Sequence, residues 1–248
     1  GLPAGEMAGM NLPLTGGLDV FASITRNPGE TVTSLLSGES KIVFSNGIVE
    51  FQGKKIPVES IKADAVYKDN TILINLESTG PSTVKTALKG TVELKGLLTP
   101  GNIGDSGLDL AMNVSGITEE AVKDFVELPA DTTFGTVLDL RITGTAAEPK
   151  LELGYNIEKV SVRIEDEVKE FPAVQGSISY GRNLLIVNPV RIATPYGVIS
   201  AEGNVPVHLG FSPDSKIGLV DDKDINLTIE VTELNVELLK EKYLKGTI

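Results

Sequence analysis

Residues 171–207 read FPAVQGSISYGRNLLIVNPVRIATPYGVISAEGNVPV. Short apolar alternations are interrupted by Gly181-Arg182-Asn183, Pro195-Tyr196-Gly197 and Gly203-Asn204, the punctuation of successive β-strands joined by tight turns. An earlier stretch, residues 56–94, has the same layout. Tyr67, Asn70, Asn75 and Gly90 return as Tyr180, Asn183, Asn188 and Gly203, each 180 − 67 = 113 positions later. The chain therefore reads as two copies of one long β unit, residues 1–117 and 118–248, and its function is to be sought in what a repeated sheet can do.

Composition supports many short strands: among 248 residues there are 26 Gly and 13 Pro, no Trp, and 5% aromatic residues. With no Cys, a disulfide framework, a thiolate metal site and a Cys nucleophile are excluded. A net charge of −12 argues against nucleic acid as a partner, because binding phosphates needs clustered Lys and Arg. The longest apolar runs, such as residues 184–187, fall far short of the roughly 20 residues that cross a bilayer as a helix. No signal peptide is visible, and the chain is expected to be a piece of a longer protein whose targeting segment lies elsewhere.

In chain order, strands are expected at residues 41–44 and 48–51, joined by a hairpin at Asn46-Gly47, and again at 61–67 and 71–76. Residues 84–88 and 91–98 continue the meander. Residues 108–115 then alternate strictly, with Leu108, Leu110, Met112 and Val114 on one face and Asp109, Ala111, Asn113 and Ser115 on the other. Residues 118–125 break the rhythm as a short helix with Thr118 as its cap. Leu138-Asp139-Leu140 then echoes Leu18-Asp19-Val20, and Leu227, Ile229 and Val231 repeat Leu110, Met112 and Val114 at 227 − 110 = 117. A second short helix is expected over residues 234–243.

A long sheet with one apolar face must cover it, curl over it or offer it to an apolar ligand, and only two short helices are available as covers. The apolar lining is assigned to Ile72 and Ile74 in the first copy and to Leu108, Leu110, Met112 and Val114 at its end. In the second copy it comprises Leu138, Leu140 and Ile142, Leu151, Leu153 and Tyr155, Val160, Val162 and Ile164, and Leu227, Ile229 and Val231. The competing reading makes the same residues the closed core of a sandwich or barrel.

Residues 140–149 (LRITGTAAEP), Gly176-Ser177-Ile178 and residues 198–205 (VISAEGNV) resemble the recurring pattern of the TamB family, the inner-membrane-anchored subunit of the translocation and assembly module of diderm bacteria; the wider AsmA-like group is similar. The likeness is clearest over residues 108–248. It implies an all-β fold, an elongated, curved, antiparallel-rich sheet forming an open hydrophobic trough with two short helices. It further implies a segment of a periplasm-spanning conduit that moves phospholipid between inner and outer membranes, with phospholipid acyl chains in the trough. An outer-membrane barrel partner, TamA-like, would engage through another part of the chain. The parent protein would be anchored in the inner membrane, and this piece is expected to be monomeric. The same family is described as a scaffold for outer-membrane protein and autotransporter assembly, which is the alternative function. A structural surface β repeat without ligand is the third.

Catalytic chemistry has little to rest on. His208 is the only histidine and no nucleophile-elbow sequence accompanies it, so it reads as a strand-edge surface residue. Asp222, Asp224, Asn226 and Glu233 match calcium-loop positions, but Leu227 stands where that loop requires Gly. Residues 101–107 are Gly-rich without the Lys and helix of a phosphate loop, and Glu165-Asp166-Glu167 reads as a solvated hairpin tip. The expectation is a non-enzyme without cofactor or metal.

Overall fold

The structure, a computed structural model, describes residues 14–26, 36–51, 54–80, 83–94, 103–123, 127–158, 160–164, 167–194, 197–209, 218–220 and 223–233. Alternation and turn chemistry produce an all-β protein. The first copy supplies β1 (Leu14–Arg26), β2 (Leu36–Phe51), β3 (Lys54–Lys68), β4 (Thr71–Thr79), β5 (Lys85–Glu93) and β6 (Gly107–Thr118). After one helical turn, α1 (Glu119–Val122), come β7 (Gly135–Thr145), β8 (Pro149–Ile157), β9 (Val160–Ile164) and β10 (Glu167–Phe171). β11 (Val174–Gly181), β12 (Leu184–Thr194), β13 (Gly197–His208), β14 (Gly218–Leu219) and β15 (Asn226–Thr232) follow.

Thirteen of these strands form a single curved antiparallel sheet, in which β1 to β8 pair in chain order, β8 pairs with β11, and β11 to β13 continue the meander. β14 and β15 share the outer edge of β13, and β9–β10 stands apart as a two-stranded hairpin. The sheet does not close: no pairing links β1 to β14 or β15. The second copy joins the first without a break, because β6 pairs with β7 along Leu110↔Ile142, Met112↔Leu140 and Val114↔Leu138.

The turns show why the copies fold alike. Asp69 and Asn70 have φ of 49° and 61°, and Arg182 and Asn183 have 54° and 60°. Two consecutive positive φ values make a two-residue hairpin turn whose twist matches its strands. In both, a tyrosine hydroxyl reaches the turn asparagine at 3.2 Å, Tyr67 to Asn70 and Tyr180 to Asn183. The asparagine carbonyl then accepts from a later amide, Leu94 N at 2.7 Å in one copy and Val207 N at 3.1 Å in the other. Register extends the match to Gly38↔Tyr67 and Leu151↔Tyr180, again 113 apart.

Several local expectations are corrected. Asn46-Gly47 is not a hairpin: β2 runs straight through it. Asn46 takes φ 49° and the two residues face Gly16 alone, so the extra residue becomes a β-bulge. The Phe44 ring fills the space above it, lying where a Cβ on Gly47 would be only 1.9 Å away. The expected echo of residues 18–20 in 138–140 is two residues off, since Val20↔Ile42 corresponds by pairing to Leu138↔Tyr155. Of the expected helix 118–125, residues 118–123 are described and hold the four-residue α1, with Thr118 at the N-cap without a side-chain hydrogen bond. The second expected helix, 234–243, lies outside the described residues.

Candidate apolar binding face

Opposed residues in neighbouring strands share a face, so the registers assign every side chain to one side or the other. One row of opposed residues starts at Val20 and passes through Ile42, Ala63, Leu76 and Leu88 to Met112. It continues through Leu140, Leu153, Ile178 and Val187 to Gly203 and Leu227. Each of the strands it crosses contributes one residue, and none is polar. At the usual ~4.8 Å between strands, twelve strands make a stripe about 53 Å long.

Ile72, Ile74, Leu108, Leu110, Met112, Val114, Leu138, Leu140, Ile142, Leu151, Leu153, Tyr155, Leu227, Ile229 and Val231 all lie on the face that carries this row. Val160, Val162 and Ile164 do not. They belong to β9, whose strand partner among the described residues is β10, and which meets residues 130–133 through the bridge between Thr133 and Ser161, the hydrogen bond from Arg163 N to the Ala130 carbonyl at 3.2 Å and the Arg163–Asp131 ion pair. Their alternation is real, but the strand it defines hangs beside the sheet.

No second layer covers the apolar face among the described residues: every substantial contact between elements is between hydrogen-bonded strands, apart from α1 against β6. Among the described residues the buried apolar ones, Phe44, Ala146, Val174, Tyr180, Val190 and Val198, are scattered, and none of the larger side chains is wholly enclosed. Leu88, Met112, Leu140, Leu153 and Ile178 are half-buried by their neighbours alone. Toward the ends exposure rises, to 73% at Ile229 and 80% at Ile24. Among the described residues the sheet is neither closed into a barrel nor packed against a second layer, so they do not form the closed core of the competing reading.

The face has relief that the alternation does not announce. Over β1 to β4 it sinks into a hollow of ≈ 400 Å³ whose floor is Ala22, Gly38, Ser40 and Ala65 and whose walls include Ile24, Tyr67, Ile72 and Leu94. Small side chains make the depression. At the corresponding places in the second copy, by pairing, stand Leu140, Leu151, Leu153 and Ile178.

The larger of the two hollows, ≈ 970 Å³, runs over β4 to β12 and is lined by residues of the opposite, polar face together with Leu88, Met112, Leu140, Leu153 and Ile178 of the row. Its lining alternates in sign and kind, with Glu77, Lys89, Asp139, Arg141 and Glu152 among Asn and Ser residues. Asn113 donates to Asp139 at 2.8 Å and Asn188 to Ser177 at 2.8 Å, so cross-strand hydrogen bonds tie this face together. His208 is exposed at the end of β13, with Nδ1 3.0 Å from Asn183 Oδ1. Leu227 lies within strand β15, and no cluster of three or more His, Asp or Glu suited to a metal occurs among the described residues.

Fold and face together define an open, single-layer antiparallel sheet with one apolar and one polar side. No protein-family model, curated protein or solved structure matches the chain.

Proposed function

We propose that the apolar face carries hydrocarbon chains of lipids, as a segment of a conduit moving phospholipid across the periplasm between inner and outer membranes. The observation that carries this reading is the row from Val20 to Leu227, apolar on every strand it crosses and without a covering layer among the described residues. Acyl chains laid along it gain about 0.8 kcal/mol per buried methylene, without any specific polar contact. Binding of that kind tolerates sliding, since one Leu or Val replaces another along the path. Membrane anchoring and docking to a TamA-like barrel belong, on this reading, to other parts of a longer chain.

The test is to purify the protein from a diderm bacterium and identify bound lipid by native mass spectrometry. Phospholipid on the native chain, and its loss from folded Met112→Asp and Leu140→Asp variants, is the expected result. A lipid-free native chain, or unchanged loading in those variants, overturns the reading. The edges of β1 and β15, which have no strand partner among the described residues, favour a second reading, a scaffold that holds outer-membrane strands by β-augmentation. A lipid-free protein that binds a β-signal peptide would select it.

A further inference from the structure

The two ends of the sheet are complementary to each other. β1 and β15 each have one edge without a strand partner among the described residues, so each presents unpaired backbone groups. Both display large apolar side chains on the same face: Val20 is 53% exposed, Ile24 80%, Leu227 56%, Ile229 73% and Val231 51%. Edges are usually blunted by charge, bulges or cover. On these strands the apolar side chains are left in the open.

The molecule already contains the joint that would pair them. In the repeat, β6 corresponds to β15, because Gly90↔Leu110 matches Gly203↔Leu227. Likewise β7 corresponds to β1, because Ile142↔Leu151 matches Ile24↔Gly38, and Leu151 matches Gly38. β6 and β7 are paired with each other inside the chain. We infer that β15 of one molecule pairs with β1 of a second copy in the register of the internal β6–β7 junction, joining chains head to tail into one longer sheet.

The register follows without adjustment. Leu110↔Ile142 becomes Leu227 opposite Ile24, Met112↔Leu140 becomes Ile229 opposite Ala22, and Val114↔Leu138 becomes Val231 opposite Val20. On the polar face, Asp109↔Thr143, Ala111↔Arg141 and Asn113↔Asp139 become Asn226 opposite Thr25, Thr228 opposite Ser23, and Glu230 opposite Phe21. No like charges oppose each other, and the apolar row continues across the joint. Different surfaces meet at each contact, so the assembly is heterologous and grows as an open or ring-closed series rather than stopping at a two-fold dimer. This departs from the monomer expected from the sequence, and it stands whether or not the face carries lipid.

The chain has no cysteine, which makes cross-linking clean. Under mild oxidation the Ala22→Cys/Ile229→Cys double variant gives a ladder of covalent oligomers, while a mixture of the two single variants stops at a heterodimer. The control Ala22→Cys/Ile225→Cys, four residues out of register, gives no ladder. Light scattering on the unmodified chain gives a mass that rises with concentration. Ile229→Lys shifts that rise to concentrations about tenfold higher or more, as a charge opposite an apolar neighbour does. Ile229→Glu combined with Ala22→Lys restores association. A chain that stays monomeric at all concentrations, equal cross-linking in the control, or disulfide dimers of Ala22→Cys with itself would each overturn the inference.

Discussion

The first and second copies share a backbone plan and differ in what they place on it. Both use a two-residue turn ending in asparagine, a tyrosine reaching that turn, and a glycine pressed against the next strand. On this common frame the first copy carries Ala22, Gly38, Ser40 and Ala65 beneath a hollow, and the second carries Leu140, Leu151, Leu153 and Ile178. The frame is set by turns and close approaches, and the relief of the apolar face by side-chain size. The two can vary independently.

The largest effect should come from the shared glycines. Gly90 has φ +151°, and a Cβ there would sit 2.0 Å from the Asp109 carbonyl oxygen; Gly203 has φ +157° and the same conflict with Asn226 at 2.2 Å. Gly90→Ala lies mid-sheet and should destabilise by about 3 kcal/mol or more, because strand β6 cannot move away. Gly203→Ala should cost about 1 kcal/mol, because β15 at the edge can shift. Urea unfolding of the two variants measures the gap, and equal losses would show that the edge is as firmly held as the centre.

Next come the tyrosines. Tyr180 is buried, its hydroxyl accepts from the Leu209 amide at 2.9 Å, and Asn183 Oδ1 and the Leu209 carbonyl oxygen lie 3.2 Å away. Tyr67 is half-buried and among the described residues bonds Asn70. Tyr180→Phe strands the half-buried Leu209 amide and should cost about 2 kcal/mol, against about 0.5–1 kcal/mol for Tyr67→Phe. Thermal unfolding separates them.

Filling the first hollow with the second copy's side chains, Ser40→Leu with Ala65→Ile, should weaken binding of a fluorescent fatty acid about tenfold. That corresponds to displacing roughly two methylenes at ~0.8 kcal/mol each. Carving the second copy with Leu153→Ser and Ile178→Ala should create a new site of similar strength. If neither exchange alters titration by fluorescence, small side chains are not what makes the first copy different. The least effect is expected from Arg191→Ala, which breaks a 2.8 Å ion pair with Glu233 between side chains 68% and 67% exposed. Melting should barely shift, consistent with less than about 1 kcal/mol for such pairs.

What could be read from the sequence was whatever depends on local chemistry. The turns at Asp69-Asn70 and Arg182-Asn183, the 113-residue repeat, and the shared face of Leu110, Leu140 and Leu227 all follow from turn preference and strict alternation. Asn46-Gly47 misled because the same backbone freedom serves a hairpin and a bulge, and only the long pairing of β2 with β3 decides between them. Val160, Val162 and Ile164 alternate like sheet residues, yet alternation does not say which strand is the neighbour. The hollows escaped notice for another reason. A floor of Ala, Gly and Ser has no apolar signature, and a hollow that spans β4 to β12 belongs to the sheet as a whole rather than to any one strand.

Apart from the excursion to β9 and β10 and the step past β14 that brings β15 back to β13, each strand pairs with the next along the polypeptide. Such low contact order lets folding zip from any turn outward, without threading distant segments past one another. It also frees length from architecture: a whole hairpin added or deleted shifts the ruler by two strand spacings, about 10 Å, and leaves every remaining partnership intact. The reach of a protein built this way is set by counting hairpins.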